Sequence, residues 1–419
     1  MNARGPTLDE QVAAAVAGWR PTWAEVDLDA IAFNVRQFRA HLGAGVQLFC
    51  VVKGDGYGHG AIEVARTGLA AGSDRLAVAT VEEAAQLRSA GIAAPILIMG
   101  PVLGTAIDTA IQLDAEFAAF DQRQAQDAAR AAARLGLCAG VHLKVDTGLG
   151  RLGAQTPDEA LGIARVIAAA PSLRLAGTYT HMAVADWPDK TYTRRQYARF
   201  EAALAALSAA GIDPGLRHCA NTAVAIEMPE LRLDAVRVAL GAIGLYPGDP
   251  ARLRRSLELR PALALKSRVA YVKDMAAGGG ISYGLTYVTP SARRIATVPI
   301  GYADGYRRAF GNRACALVRG GRAPVVGAVC MDQIMLDVSQ TGAATGDEVV
   351  LIGRQGAAEV SADELAQVAG TNNYEVVTCI GPRVTRVYLR DGAVAGARVL
   401  GGVSRAPGGR REATNAQLT

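Results

Sequence analysis

Apolar and polar positions follow two different patterns along the chain. Up to about residue 250, short apolar runs alternate with stretches of helical spacing. The strand-like runs cover 23–28 (WAEVDL), 47–52 (QLFCVV), 75–80 (RLAVAT), 95–100 (PILIMG), 116–120 (EFAAF), 141–146 (VHLKVD), 174–181 (RLAGTYTH), 216–220 (LRHCA) and 235–240 (AVRVAL). Between the first two, Ile31, Val35, Phe38 and Leu42 recur at 4-3-4 spacing, which marks one buried helix face. Thr80 with Glu83, and Thr156 followed by Pro157, mark two further helix starts. Continuously apolar strands are the signature of a parallel sheet covered on both faces. The eight runs from 47–52 onward, spread over roughly 200 residues, predict a (β/α)8 barrel of the TIM type. A doubly wound sheet fits less well, because no GxGxxG opens a helix after a strand. The run at 23–28 is surplus to the eight and is expected to pair with a second domain.

Beyond about residue 250 the helical period fades. Short strands separated by Gly and Pro are expected at 262–274, 293–300, 314–319, 323–330, 333–338, 347–353 and 384–389, with one clear helix at 361–370 (SADELAQVAG). The organisation predicted is an α/β chain: a leader over 1–21, a barrel over 22–255 and a mainly β C-terminal domain over 256–400. A Gly- and Arg-rich tail over 401–419 reads as disordered.

Composition narrows the function classes. Half of the 419 residues are hydrophobic and a fifth are charged, which excludes wholesale disorder. No apolar stretch is long and uninterrupted enough to span a bilayer. The first twenty residues lack a basic-then-apolar layout, so the expected location is cytoplasmic, with no membrane partner. Six scattered cysteines without a CxxC pair argue against a disulfide scaffold or structural zinc. Five dispersed histidines without HExxH spacing give no support for a catalytic metal. The net charge of +5 is spread along the chain without a nucleic-acid-binding motif, so no nucleic-acid partner is expected.

One bias is informative: among 44 basic residues only Lys53, Lys144, Lys190, Lys266 and Lys273 are lysines. Lys53 ends an apolar strand and is followed by the glycine-rich run GDGYGHG over 54–60. At the carboxyl end of a barrel strand a side chain faces the active site. A partly desolvated amine there has a lowered pKa and is nucleophilic, which suits a Schiff base with an aldehyde such as pyridoxal phosphate. The glycines would let backbone approach a ligand, and Tyr57 offers a hydroxyl to a phosphate. A snorkelling lysine beside a flexible turn accounts for the same residues.

The stretch VVKGDGYGHG resembles the signature of the alanine racemases, a family of fold-type III pyridoxal-phosphate enzymes. Further matches follow in family order: TWAEVDLDAIAFNVR, HLKVDTGLGRLG (142–153), THMAVAD (180–186), CANTA (219–223), AVRVALGAIGLYP (235–247), ISYGLTY (281–287), IGYADGYRR (300–308), VCMDQ (329–333) and GDEVVLIG (346–353). The resemblance implies interconversion of L- and D-alanine by two bases, supplying D-alanine for peptidoglycan. Lys53 would carry the cofactor and serve the D-enantiomer, and Tyr283 would serve the L-enantiomer from the opposite face, assisted by His181. Arg237 would face the pyridine nitrogen. Tyr57, Thr222 and the amides of Ala239 and Leu240 would hold the phosphate. Arg151 would contact the substrate carboxylate, oriented by Lys144 in carbamylated form; pairing of Lys144 with Asp146 is the other reading. Tyr302, Met331 and Asp332 would surround the amino-acid substrate from the partner subunit of a homodimer with shared active sites.

The chain departs from the family pattern at Ala239, Ile243, Ala328 and Pro382. These departures bear on cofactor affinity and on substrate choice, and a roomier pocket would admit serine or larger amino acids. A decarboxylase of the same barrel family lacks a supporting signature here. A single-domain cofactor carrier would lack the β-rich half.

Overall fold

The computed structural model describes residues 6–248, 253, 256–401, 404–405 and 411–412. The chain divides into two compact units, one formed by Ala30–Pro261 and the other by Met1–Asp29 together with Ala262–Thr419. The boundary thus falls after Asp29, not at residue 22 or 255. Strand β1 (Thr22–Asp27) is the surplus strand and pairs within the β-rich unit. The expected leader belongs to that unit too. Its helix Leu8–Val16 is capped by Thr7 and Glu10 and buries Val12, Ala15 and Val16 against Trp23, Val387, Val394 and Ala397.

In the first unit the eight barrel strands are β2 (Gln47–Val51), β3 (Arg75–Val78), β4 (Ile96–Ile98), β5 (Glu116–Ala119), β6 (Ala139–Lys144), β7 (Leu173–Tyr179), β8 (Leu216–His218) and β9 (Ala235–Val238). All pairings are parallel and run in chain order from β2 to β8, with β9 returning to the free side of β2. The ring is nearly closed between β8 and β9. There the single bridge Ala220↔Val236 is reinforced by the amides of Asp234 and Arg237 donating to the carbonyls of Arg217 and Ala220, at 3.1 and 3.0 Å. Because side chains alternate along a strand, every second residue fills the interior. Phe49, Val51, Ala77, Leu97 and Ala235 form one apolar cluster, with Tyr57, Met99, Leu216 and Ala239 packed on it.

The second unit places β1 at the centre of its main sheet, antiparallel to β10 (Leu263–Arg268) and parallel to a later strand, Thr385–Arg390. The expected strand 262–274 is two: the chain breaks at Val269–Ala270 and β11 (Tyr271–Met275) joins a separate three-stranded sheet. The expected strand 323–330 stops at Pro324, which has no N–H to give, and Gly327 at φ +77° turns the chain away. An unexpected helix over Asn373–Thr378 is capped by Asn372, which accepts from the Glu375 amide at 2.9 Å. Of the tail expected to be disordered, Ser404–Arg405 and Arg411–Glu412 form two short strands that extend the main sheet. The rest of 402–419 lies outside the described residues.

Trp23 is 1% exposed and ties the leader helix to the central strand. Trp23→Ala should cost the β-rich unit about 3–5 kcal/mol, read as a lower urea midpoint.

Candidate active site

The amino end of the barrel strands is closed off by charged pairs, and the carboxyl end gathers the chemistry. Lys53 follows β2 after one residue, Val52. The chain then makes a left-handed turn: Gly54, Asp55 and Gly56 sit at φ 60°, 56° and 63°, and Tyr57 and Gly58 continue at 54° and 82°. Left-handed backbone costs an L-residue roughly 1–2 kcal/mol each, so glycine at alternate positions makes the turn affordable. The amides of Gly56 and Gly58 donate to the carbonyls of Val52 and Gly54 at 2.8 and 2.9 Å. Glu83, from the capping box expected at Thr80, reaches over to accept from the Gly54 amide at 2.6 Å. Burial, and then the nearby Arg151, hold the Lys53 amine below its ordinary pKa.

Lys144 ends β6 and is 3% exposed. Its Nζ donates to the Val145 carbonyl at 3.3 Å and lies 4.7 Å from the centre of the Tyr179 ring. Burial, followed by Arg237 and Arg151, pushes its pKa well below that of a free lysine. Asp146 is otherwise engaged. It accepts from the amides of Gly148, Leu149, Gly150 and Arg151 at 3.0, 2.9, 3.0 and 2.6 Å, folding the loop that presents Arg151. The Lys144–Asp146 pairing is therefore replaced by a carboxylate that serves the loop backbone.

Arg237, on β9, is 3% exposed. It donates to His218 Nδ1 at 2.8 Å, to the Thr180 carbonyl at 2.8 Å and to His181 Nδ1 at 3.2 Å. Burial and the Arg237 charge hold His181 well below the usual imidazole pKa, so it is neutral. Thr222 opens the helix after β8, and its hydroxyl accepts the Ala239 amide at 3.1 Å. That amide, expected on the phosphate, is thus taken. The amides of buried Leu240 and Gly241 make no hydrogen bond among the described residues. A Cβ at Gly241 would collide with the Phe38 ring. Unpaired amides beside a threonine hydroxyl form an anion cradle, and the nucleophilic Lys53 sits at the same strand ends. The residues present fit a phosphorylated aldehyde.

The structure thus brings Lys53, Lys144, Arg151, His181, Thr222, Arg237, Ala239 and Leu240 to the carboxyl ends of the strands. Sequence reasoning missed Asp146, Glu83 and His218. His218 was one of the dispersed histidines, and only strand alternation around the barrel shows that it faces inward with Arg237.

The β-rich unit carries the remaining candidates. Tyr283 is 74% exposed on a one-turn helix entered through Ser282 at φ +64°. Ser282 donates to the Ala328 carbonyl at 2.6 Å and lies 3.4 Å from Cys330 Sγ. Tyr302 and Met331 are brought together because the Tyr302 amide donates to the Cys330 carbonyl at 3.0 Å, and a Cβ at Gly301 would strike that backbone. Asp332 accepts from Arg383 at 2.6 Å. Tyr283, Tyr302 and Met331 converge around Cys330 as exposed aromatic and thioether groups.

A parallel barrel with a desolvated lysine at its mouth, followed in the chain by a separate β-rich unit, marks a two-domain barrel enzyme. Comparison with known proteins specifies it. Residues 26–247 match the family description "Alanine racemase, N-terminal domain" and residues 262–388 "Alanine racemase, C-terminal domain". An alanine racemase of Symbiobacterium thermophilum is 47% identical over 372 residues, covering 88% of this chain and 98% of its own length. The crystal structure of alanine racemase from Bacillus anthracis with bound L-Ala-P superposes with TM-score 0.86 at 40% identity, over 90% of this chain and 97% of that one. A histidine racemase from Leuconostoc mesenteroides matches at 29% identity with TM-score 0.81, over 90% and 100%. The chain belongs to the alanine racemase family.

Two predictions follow from the loop and the turn. Four amide donors depress the Asp146 pKa against the opposing effect of burial. A depressed carboxylate stabilises fully above its unfolded pKa of about 3.9, and the contribution is lost as pH falls through the folded value. Asp146→Asn should flatten the acid side of the Tm–pH profile. Gly56→Ala, at φ +63° and against Val64, should lower stability by roughly 1–2 kcal/mol.

Proposed function

We propose that this chain is a pyridoxal-phosphate-dependent alanine racemase that works by a two-base mechanism. The observation that carries the reading is Lys53, desolvated at the end of β2, at the strand ends that also bear Arg237 and the Thr222–Leu240 anion cradle. When bound, pyridoxal phosphate supplies an electron sink that acidifies the amino acid's Cα–H. Lys53 holds that group through its amine. Once released it takes or returns the proton on the face of the D-enantiomer. Tyr283 moves the proton on the face of the L-enantiomer. A free tyrosine, with a pKa of about 10, is a weak base. His181 assists it: its Nδ1 accepts from Arg237, so the neutral ring carries its proton on Nε2 and can donate to a phenolate. Arg237 keeps the pyridine nitrogen from gaining a proton, because a guanidinium does not give one up. Tyr57, Thr222 and Leu240 hold the phosphate, and the Ala239 amide supports Thr222.

Tyr283, Leu285, Tyr302 and Met331 are large apolar side chains left exposed on the β-rich unit. Exposed clusters of this kind mark interaction sites. This supports a homodimer in which the partner subunit's Tyr283, Tyr302, Met331 and Asp332 complete each site. Arg151 binds the substrate carboxylate. The neutral Lys144 amine adds CO2, forming an N–C bond and releasing one proton. The resulting carbamate places an anion beside Arg151 and Arg237, turning repulsion into attraction. No helix of the described residues is long and apolar enough to cross a membrane. The family reading gives a cytoplasmic enzyme that supplies D-alanine for peptidoglycan.

The deciding experiment is incubation with L-alanine and pyridoxal phosphate, followed by chiral analysis. D-alanine should accumulate to equimolarity, and its absence overturns the reading. Parallel assays on serine, lysine, arginine and histidine test for a broader racemase. Lys53→Ala should abolish both the visible absorbance of the bound cofactor and turnover. Tyr283→Phe should slow proton removal from L-alanine by roughly 10²–10⁴-fold, and from D-alanine much less. The readout is exchange of the Cα proton with solvent from each enantiomer, since net racemisation must slow equally in both directions; equal loss of exchange from both would refute the division of labour. Lys144→Ala should raise the KM for alanine.

A further inference from the structure

The barrel interior holds a chain of polar groups that the reaction described above does not use. At the amino-terminal rim, Glu116 opens β5 and pairs with Arg75 at 2.9 Å and Arg174 at 3.1 Å. The same carboxylate accepts from His142 Nε2 at 2.9 Å. His142 Nδ1 lies 2.9 Å from His218 Nε2, and His218 Nδ1 lies 2.8 Å from Arg237 Nη1. Both imidazoles are 0% exposed. The chain thus crosses the barrel core from its amino end to the strand ends that carry Lys53.

Its polarity is fixed at both termini. A guanidinium only donates and an ionised carboxylate only accepts. His218 Nδ1 must therefore accept from Arg237, which leaves the ring proton on Nε2 to be donated to His142 Nδ1. His142 in turn carries its proton on Nε2 and donates it to Glu116. A second proton on either ring, or the other tautomer of either, would set donor against donor. The His218 ring is held flat, stacked between Phe49 at 5.3 Å and Tyr179 at 4.9 Å. The charge state agrees. Burial raises the Glu116 pKa, but the His142 hydrogen bond and the arginines bring it to about 2, and burial holds both histidines below the ordinary value.

We propose that Glu116, His142 and His218 are positioning residues for Arg237. The ionised carboxylate at one end of the barrel sets the tautomer of two buried imidazoles, and these present a lone pair that aims the guanidinium at the other end. The consequence for turnover rests on the racemase reading; the tautomer assignment does not.

The test uses a matched pair of variants. In His142→Gln the amide oxygen can accept from His218 and the amide nitrogen can donate to Glu116, so the polarity survives. His142→Leu fills the space and breaks the chain. With ¹⁵N-histidine-labelled full-length protein, five ring systems are assigned by substitution. The ring-nitrogen shifts, read with and without pyridoxal phosphate, should show His142 and His218 as neutral Nε2–H tautomers that do not titrate between pH 6 and 8. His142→Gln should keep the His218 tautomer and most of kcat. His142→Leu should give a mixed His218 tautomer, a shifted visible band of the bound cofactor and kcat lower by roughly 10–100-fold, with KM for alanine little changed. The proposal is overturned if either wild-type ring is protonated or Nδ1–H, or if the Leu and Gln variants behave alike. If His142→Leu does not fold, the wild-type and His142→Gln shifts decide the matter alone. Failure of racemisation in the wild type with intact Nε2–H tautomers would sink the functional reading and leave the chain standing.

Discussion

Four cationic side chains meet at the mouth of one barrel, and most of the local structure is a response to that crowding. Burial, with the charges of Arg151 and Arg237, lowers the pKa of Lys53 and Lys144, and burial lowers that of Arg237 as well. Unit charges a few ångströms apart in a poorly solvated site repel by several kcal/mol, so they cannot all remain charged without anions. The lysines yield, because an ammonium can lose a proton and a guanidinium cannot. A site that must keep two arginines charged therefore lowers the pKa of the amines next to them. Under the proposed function, that lowering is what would suit Lys53 to imine formation and Lys144 to CO2 addition. The nearby carboxylates offset this only in part: Glu83 and Asp146 bind loop amides and raise the lysines less than burial and the arginines lower them.

The loops answer a second demand, that these side chains be held without slack. The turn after β2 uses a conformation that is expensive except at glycine, and Asp55 pins its far end by accepting from the Ala61 amide at 3.1 Å. The loop after β6 is gathered onto a single carboxylate. Arg199 and Tyr192, from the helix Thr191–Ala209, tie down its Thr147 and Gly148 carbonyls at 2.9 and 2.8 Å. Rigid loops on a rigid barrel are what a site needs when protons must be moved at one carbon without loss to solvent.

Legibility in the sequence followed the physics. The barrel was readable because buried parallel strands leave continuous apolar runs, and all eight fall where those runs lie. Lys53 stood out because a lysine among arginines at a strand end needs a reason. Strand 22–27 could be seen as surplus, but its partners lie more than two hundred residues away, and no local pattern records them. The β-rich half was less legible: Pro324 and Gly327 end a strand that hydrophobicity alone would continue. The role of Asp146 was hidden because a carboxylate two residues from a lysine reads as its counter-ion until the backbone amides are counted. Ala239 looked like a phosphate donor until its amide was seen bonded to Thr222.

The histidines carry this furthest. As spacing along a sequence, His142 and His218 say nothing, since 76 residues separate them. On parallel strands of a nearly closed ring, two inward positions at the same height are neighbours whatever the intervening length. Barrel architectures usually divide labour between a stabilising amino-terminal face and a reactive carboxyl-terminal face. A polar chain through the core removes that division. The pairing of Glu116 with Arg75 and Arg174, which would otherwise be read as a seal on the bottom of the barrel, acquires a direction, because each link above it can be satisfied only one way. An apolar core would pack as densely and bury no charge, at no desolvation cost. What it could not do is present a lone pair to a guanidinium in the middle of a protein, and the orientation of Arg237 depends on that.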